Sequence, residues 1–506
     1  MKLPKISKQF VHFIAIRAIM ALLLFMTLAA WAMGSAVGST ADEDYVLTSI
    51  WCGTTGETEY CRKDPDSNWG MILPSMVAKP QLCYTKSQNY SAGCQVEIYN
   101  QEISTDLYNL GLYPKQYFDI ARNFVSPFIE ASVVKMRLFN SFLGASLILL
   151  AVSLDRRRLS DAFITWLAVI TPVVTYFVAS VNTSGWTLVG TTCFVYALIA
   201  ALRNRGKPKV WIPASLLALF SLWFTNSSRY EGKYVILLLG TAILHSEFAP
   251  KNFKLSKKTA LVSAAILPVL YVIYNYFINI YGRVNILNDS RVEVNEGITT
   301  TANNLLLENF LNLPRFIMGF FGSWGLGWFE VDVTQTVSLL TLQTFLLTTV
   351  FALKKSSKIC RMIFGGLFAL MSSAILYANQ QTFTPVGEVI QPRYFLPFFL
   401  GLVIIAAANK TVRYPNSLVI MVAILATISN SIALRNTIRR YTTGQDVFIS
   451  KSLNNPIEWW WQFGPQPETV WLIGTLAFAA LWAILIYERR NEEIQIQQSP
   501  TAELVN

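Results

Sequence analysis

Apolar runs of about 20 residues recur along almost the whole chain, and each ends in a polar or basic cluster. A helix of about that length crosses the hydrocarbon core of a bilayer. The pattern therefore predicts an all-α, polytopic helical membrane protein with about twelve transmembrane helices. The predicted spans are residues 10–33, 136–154, 161–180, 187–202, 210–225, 233–247, 259–281, 334–353, 362–378, 394–408, 416–434 and 469–487.

Lys and Arg residues gather in alternate connections between these spans. Basic loops mark the cytoplasmic side of a membrane. Both termini are then cytoplasmic, and the first span is an uncleaved helix rather than a signal peptide. The clusters are "DRRR" at 155–158, "RNRGKPK" at 203–209, "KNFKLSKK" at 251–258, "KKSSKICR" at 354–361, "NKTVR" at 409–413 and "ERR" at 488–490.

The long polar segments fall on the opposite, outer side of this topology, where recognition or chemistry would take place. Within 303–329, apolar residues at helical spacing are broken by Pro314 and four glycines, which predicts an interfacial or re-entrant helix. The predicted regions are a transmembrane domain 1–435 with outer loop 34–135 and outer segment 282–333, an outer loop and last span 436–487, and a disordered tail 488–506.

Composition agrees with a membrane location. Hydrophobic residues make up 53% of the 506 residues and charged residues 14%, whereas soluble domains carry about a quarter charged residues. The net charge of +11 would suggest nucleic-acid binding in a soluble protein, but here the basic residues lie in the short loop clusters. The lipid bilayer of the plasma membrane, and no nucleic acid, is the expected surrounding.

Four of the six cysteines, Cys52, Cys61, Cys83 and Cys94, lie in the first outer loop. Three pairings are possible, and the short separations favour Cys52 with Cys61 and Cys83 with Cys94. Such disulfides place the loop in an oxidising, extracytoplasmic compartment. Four free thiols are the alternative.

Three carboxylates, Asp42, Glu43 and Asp44, follow the first span directly. A single acid there is usually a solvated helix end. Three acids at a partly desolvated membrane mouth, with raised pKa values, can instead take a proton from an acceptor hydroxyl or bind a divalent cation. The chain has two histidines and no phosphate-loop, nucleophile-elbow or zinc motif, so no other cofactor is indicated.

Basic residues also occur on the predicted outer side, against the usual bias. Contact with lipid headgroups or snorkelling explains each of them singly. Together they suit an anionic ligand, because the guanidinium fork of Arg matches phosphate. Arg393 is the first candidate, since prolines fix the backbone around it. The set is Arg393, Arg229, Lys233, Lys135, Arg137, Arg435, Arg439 and Arg440.

Aromatic and polar turns complete the candidate site. Trp324 and Trp328 in "GSWGLGWF", and the tryptophans of "IEWWWQFG" at 457–464, are either interfacial anchors or stacking surfaces for a sugar or isoprenoid. Asn182 and Ser184 in "VNTSGW" form an outer turn, for which a simple helix connection is the alternative.

Four short motifs carry a resemblance: "ADEDYV", "VNTSGW", "GSWGLGWF" and "QPRYFLP", the last containing Gln391, Arg393 and Tyr394. Over about residues 10–435 the chain resembles a family of bacterial polytopic membrane proteins classed as a domain of unknown function, which is similar to the GT-C class of glycosyltransferases. The resemblance implies transfer of a sugar from a polyprenyl-phosphate donor to an extracytoplasmic envelope glycan or protein.

The resemblance also implies residue roles. Asp42, with Glu43 beside it, corresponds to the catalytic base or metal contact, which leaves Asp44 as a solvated neighbour. Arg393, Tyr394, Arg229 and Lys233 would hold the lipid phosphate. The chain departs from the family pattern in having Ala41 where a proline precedes the acids and Val46 where a histidine follows them.

Two other classes of function remain open. A transporter or flippase for a lipid-linked or anionic solute would need ionisable residues deep within the spans, where this sequence has few. A scaffold protein that recruits envelope enzymes would tolerate loss of each acid and of Arg393.

Overall fold

The computed structural model describes residues 8–53, 56–170, 172–248, 302–445 and 452–498. The predicted span 259–281 lies outside them. The helices are α1 Lys8–Met33, α2 Glu43–Cys52, α3 Ser75–Ala78, α4 Gln95–Ile98, α5 Lys115–Ala121, α6 Ile129–Ser153, α7 Arg156–Val169, α8 Val173–Val178, α9 Thr183–Arg203, α10 Pro208–Asn226, α11 Gly232–Phe248, α12 Ala302–Gly319, α13 Thr334–Lys355, α14 Lys358–Gln381, α15 Leu396–Ala407, α16 Asn416–Thr442 and α17 Pro467–Gln498.

Eight helices in the described part of the chain are long and apolar enough to cross a membrane: α1, α6, α9, α10, α13, α14, α16 and α17. The helices α7 and α15 are apolar but shorter. A polytopic helical membrane protein is thereby confirmed, while twelve spans stay a prediction. The predicted span 161–180 is divided between α7 and α8, with Pro172 between them, because proline has no N–H to continue a helix.

Small residues let the central helices approach closely. A Cβ atom on Gly474 of α17 would lie 2.6 Å from the side chains of Ala30 and Leu434, and one on Gly190 of α9 would meet Thr225 of α10. Helices in lipid are held largely by such close van der Waals packing. The end of α1 is therefore fixed against α16 and α17.

One end of the bundle gathers the polar connections that the basic clusters assigned to the cytoplasm. Arg203 and Lys410 both reach Glu247, at 2.5 and 3.5 Å. Arg413 and Arg489 both reach Asp161, at 3.0 and 2.7 Å. Arg17 of α1 bonds Glu488 of α17 at 2.9 Å, so the first and last helices meet at this end. We call it the basic end.

The other end carries the polar segment that follows α1, and we call it the loop face. Its antiparallel sheet has three strands in the order β1 Arg62–Lys63, β2 Met71–Pro74 and β3 Glu102–Thr105. Disulfides join Cys52 to Cys61 and Cys83 to Cys94, which is the pairing the sequence favoured. The first of them anchors the end of α2 to the sheet side of the segment.

Two segments differ from the sequence-based expectation. The helix α12 runs through Pro314 and ends at Gly319, so the proline does not break it. The glycines that follow the helix form the turns before α13, where Gly322, Gly325 and Gly327 have positive φ angles. The helix α17 continues to Gln498, so part of the predicted disordered tail 488–506 is helical. Glu488 and Arg489 anchor it through the contacts of the basic end.

Candidate functional site

The turn between α1 and α2, residues 34–42, lies at the centre of the loop face, and we call it the acid turn. Gly38 has φ 74° and Asp42 has φ 68°. A left-handed conformation is costly for residues other than glycine, asparagine and aspartate, and it concentrates at functional sites. Asp42 directly precedes α2, and its carboxylate does not cap the helix. The side chain is therefore available to partners outside α2.

Side-chain donors from distant parts of the chain hold the carbonyl groups of the acid turn. The acceptors and donors are Ser35 and Ala36 with Arg137, Val37 with Tyr84 and Gln95, Gly38 with Trp328, Ser39 with Tyr176, and Ala41 with Asn182 and Arg393. The distances lie between 2.6 and 3.0 Å. Buried carbonyl groups need such partners, and together these bonds fix the position of Asp42.

Gly38 is a sensitive position of this turn. A Cβ atom there would lie 2.2 Å from Cγ of Pro80, on a backbone with φ 74°. We expect Gly38→Ala to lower the yield of folded protein, because both the contact and the backbone would be strained. Size-exclusion profiles in detergent measure this. Gly206→Ala is the control, since a Cβ atom there would meet none of the described residues within 4 Å; equal profiles for the two variants would contradict the expectation.

Asp42 and Arg393, 351 positions apart, form an ion pair of 2.6 Å between Oδ2 and Nη2. The Asp42 side chain is 38% exposed and that of Arg393 is 3% exposed. Arg393 also donates to the carbonyl of Ala41 at 3.0 Å and to the hydroxyl of Tyr394 at 3.1 Å. The two residues that the sequence placed first in their classes therefore meet, with the carboxylate open and the guanidinium held in place.

Arg229 is a second guanidinium beside Tyr394. The guanidinium carbons of Arg229 and Arg393 are each 5.0 Å from the centroid of the Tyr394 ring. Arg229 donates to Ser184 Oγ at 2.8 Å and to Tyr113 OH at 3.2 Å. Each guanidinium already has a carboxylate partner, Asp42 for Arg393 and Glu231 at 3.4 Å for Arg229. The pair of buried cations is the candidate site for an anion, and we call it the anion site.

The predicted turn 182–184 supports both cations. Asn182 Nδ2 donates to the carbonyl of Ala41 at 2.8 Å, beside the contact from Arg393, and Ser184 accepts from Arg229. Both residues are buried, and Asn182 also caps the start of α9. They join the acid turn to the anion site.

Glu43 is fully buried and pairs with Arg137 through both carboxylate oxygens, each 3.0 Å from Nη2. The same guanidinium donates to carbonyl groups at the end of α1 and just after it, those of Ala32 and Ser35. Glu43 therefore belongs to a buried ion pair that holds the fold together. Arg440 is also buried among carbonyl groups, at 2.6 Å from Tyr90 O and 2.9 Å from Tyr84 O.

Asp44 is buried rather than solvated, so the interpretation of it as a solvated neighbour is wrong. Its carboxylate accepts from Gln81 Nε2 at 2.7 Å and from the Tyr45 amide at 2.7 Å. Burial raises the pKa of Asp44 to about 6, while the two hydrogen bonds lower it. Among the three acids, Asp42 has the most exposed side chain.

The remaining predicted site residues differ in whether they contact the acid turn. Trp328 donates its indole N–H to Gly38 O at 2.9 Å and so supports the acid turn. Trp324 donates to Arg315 O and packs edge-on against Phe316. Gln391 precedes the 3₁₀ turn that carries Arg393 and Tyr394, and its carbonyl accepts from the Tyr394 amide. Lys233 is exposed, with its ammonium 5.2 Å from the ring of Tyr234.

Three residues near the site were not singled out by the sequence analysis: Tyr45, Tyr113 and Glu330. Asn109 Oδ1 accepts from Tyr45 OH and from the Tyr113 amide, and this braces both phenols beside α2. The sequence offers one signal, since Asn109 stands in "YNLGLY", a turn pattern with Gly111 at φ 111°.

In the described part of the chain, no group of three or more His, Cys, Asp or Glu side chains is placed to hold a metal ion. The divalent cation therefore remains an expectation of the sequence, with Asp42 as its exposed carboxylate.

Comparison with known proteins gives one family. The model of the family described as predicted membrane protein (DUF2142) matches residues 24–402, a range that includes the acid turn and Arg393. No curated protein matches the chain. No solved structure matches it either. The chain belongs to the DUF2142 family of predicted membrane proteins.

Proposed function

We propose that the protein is a membrane glycosyltransferase that moves a sugar from a polyprenyl-phosphate donor to an acceptor in the cell envelope. The family description assigns no activity. The observation that carries the proposal is the ion pair between the partly exposed carboxylate of Asp42 and the buried guanidinium of Arg393, with a second buried guanidinium, that of Arg229, beside the same Tyr394 ring. This is the set of groups that glycosyl transfer from a phosphate leaving group requires.

Arg393 and Arg229 are assigned to the phosphate of the donor. Their side chains are 3% and 10% exposed, so a phosphate at the site would meet charges that are little screened by water. The leaving group gains negative charge as the bond from the sugar C1 to phosphate oxygen breaks. Donors already fixed by Ala41, Ser184 and Tyr394 stabilise that charge without rearrangement in the transition state.

Asp42 is assigned as the general base. It takes the proton of the acceptor hydroxyl while the acceptor oxygen forms a bond to the sugar C1 and the polyprenyl phosphate departs as an anion. Glu43 has a structural role in this scheme, because its carboxylate is fully buried against Arg137. Asp42 alone then supplies the proton acceptor.

The ion pair between Asp42 and Arg393 must open during this reaction. Donor phosphate competes with the carboxylate for Arg393, which keeps its bonds to Ala41 O and Tyr394 OH when the partner changes. When the phosphate of the sugar donor replaces the Asp42 carboxylate on Arg393, Asp42 becomes free to accept the proton of the acceptor hydroxyl.

The compartment follows from the same features. We place the loop face on the outer side of the plasma membrane, because disulfides form in oxidising compartments. The basic end then lies on the cytoplasmic side, where basic loops remain. Both termini are then cytoplasmic.

The test is an analysis of envelope glycans from cells with and without the protein, together with assays in vesicles that contain a polyprenyl-phosphate sugar. Loss of a sugar from the envelope and protein-dependent release of free polyprenyl phosphate are expected. Movement of intact donor across the vesicle membrane without release of the sugar would instead identify a flippase.

Arg393→Lys should weaken binding of an anionic lipid by about tenfold or more, because Lys keeps the charge but loses the fork that bonds Ala41 O and phosphate together. Farnesyl phosphate is the probe, titrated into protein in phosphatidylcholine nanodiscs, with farnesol as the uncharged comparison.

Arg62→Lys is the matched control, because Arg62 forms an exposed ion pair with Glu102 on the sheet. It should bind the probe like the wild type. Equal binding by Arg393→Lys and wild type would remove Arg393 from the anion site.

A further inference from the structure

Glu330 is a buried acid between α12 and α13, and it has no part in the proposed reaction. It is 6% exposed. Its Oε1 lies 2.7 Å from the hydroxyl of Tyr441, and its Oε2 lies 2.5 Å from the amide nitrogen of Trp328. Gly327, at φ 69°, brings the chain close enough for that second contact.

Each carboxyl oxygen of Glu330 is connected to the acid turn through hydrogen-bonded side chains. On one side, Trp328 donates its amide N–H to Oε2 and its indole N–H to Gly38 O at 2.9 Å. On the other side, Tyr441 OH lies 3.4 Å from Tyr176 OH, which donates to Ser39 O at 2.9 Å. One carboxyl group therefore reaches two successive carbonyl groups of the turn that presents Asp42.

The number of protons along the second route decides the charge of Glu330. The route has three links: Glu330 to Tyr441, Tyr441 to Tyr176, and Tyr176 to Ser39 O. Each phenol supplies one proton. An ionised Glu330 leaves one link without a proton, whereas a neutral Glu330 supplies the third. Glu330, Tyr441 and Tyr176 can then each donate to the next group, and successive hydrogen bonds in such a chain strengthen one another.

We propose that Glu330 is a positioning residue for the acid turn and that it acts as a neutral acid, donating its proton to Tyr441 to complete the chain to Ser39. The Tyr441 proton then goes to Tyr176, and the Tyr176 proton to the carbonyl of Ser39. Oε2 remains the acceptor of the Trp328 amide. The inference concerns the placement of Asp42 and stands whether or not the protein transfers a sugar.

The surroundings of Glu330 agree with a neutral acid. Burial, the largest effect, raises the pKa of Glu330 to about 7, whereas the contact with Tyr441 and the charge of Arg440 act in the opposite direction. Arg440 is engaged with backbone carbonyls, including that of Glu330 itself at 3.2 Å. The other titratable or charged groups that face this region are Tyr84, Tyr176, Tyr441 and the Glu43–Arg137 ion pair.

The sign of the pH dependence follows. The folded protein binds the Glu330 proton more tightly than the unfolded chain, whose pKa is 4.5. Its contribution to stability is therefore complete below about pH 4.5 and is lost as the pH rises through about 7. The acid turn should loosen over that interval.

Hydrogen exchange of the amides in residues 35–45, measured on the full chain in nanodiscs, tests this directly. After correction for intrinsic rates, protection in the wild type should fall by about tenfold between about pH 5.5 and about pH 8.5. Glu330→Gln should be well protected at both values, because its amide donates to Tyr441 as the neutral acid does and its carbonyl accepts from Trp328. Low protection of Glu330→Gln at both values would overturn the proposal.

A second pair of variants guards against a general loss of structure. Tyr176→Phe removes the donor to Ser39 O, and Tyr196→Phe removes an equally buried donor to Ala162 O, at 3.0 Å in another part of the bundle. Protection of residues 35–45 should fall by about tenfold in the first variant and stay unchanged in the second. Equal effects of both variants would overturn the assignment of the route.

Discussion

Asp42→Asn should abolish sugar transfer, with a loss of about 10²- to 10⁴-fold, because a positioned general base contributes that factor. The same variant should bind farnesyl phosphate about tenfold more tightly than the wild type, since the carboxylate no longer competes for Arg393 at 2.6 Å. Asparagine tolerates the left-handed backbone at this position, where φ is 68°. Product assays and probe titrations in nanodiscs measure the two effects.

Asp44→Asn is the matched control. It removes the same charge two positions away, from a carboxylate directed to Gln81 rather than to Arg393. Its probe affinity should stay close to that of the wild type. An equal gain of affinity in both variants would assign the effect to net charge, and unchanged transfer by Asp42→Asn would remove Asp42 as the base.

Arg137→Leu should destabilise the protein by about 3–5 kcal/mol, which is the cost of leaving a buried charge without its partner. Both Arg137 and Glu43 are fully buried. The substitution also frees the carbonyls of Ser35 and Ala36 after α1. The yield of monodisperse protein and its unfolding by denaturant report the change.

The double variant Arg137→Leu/Glu43→Leu separates the two contributions. The double variant should regain the stability that Arg137→Leu loses through the unpaired charge of Glu43, but not the stability lost with the carbonyl contacts. Its free energy of unfolding should therefore lie between those of Arg137→Leu and the wild type. Loss of the exposed pair Arg62–Glu102 should cost about 1 kcal/mol or less. A double variant no more stable than Arg137→Leu would show that the ion pair itself contributes little.

Sequence patterns predicted the helical membrane architecture and the two disulfides, because apolar run length and cysteine spacing are local properties. The short motifs also led to Asp42 and Arg393. The sequence named these two residues separately, and their contact across 351 positions depends on the fold.

The individual roles of the three acids could not be read from the sequence. Glu43 meets Arg137 and Asp44 meets Gln81, at separations of 94 and 37 residues. Such pairings depend on how the acid turn folds back, and the turn depends on donors from several distant regions. Glu330 was missed for the same reason, since its partner Tyr441 lies 111 residues away. Burial set by long-range packing determines which acid stays open.

The way the acid turn is held has a consequence for biosynthesis. Asp42 leaves the ribosome early, but Trp328 and Arg393, which bind the carbonyls of Gly38 and Ala41, follow some 300 residues later. Until those segments have been inserted, the carboxylate has neither its backbone geometry nor its cationic partner. A nascent or prematurely terminated chain therefore carries Asp42 without the partners that position it, and the proposed anion site is complete only after Arg393 has entered the membrane.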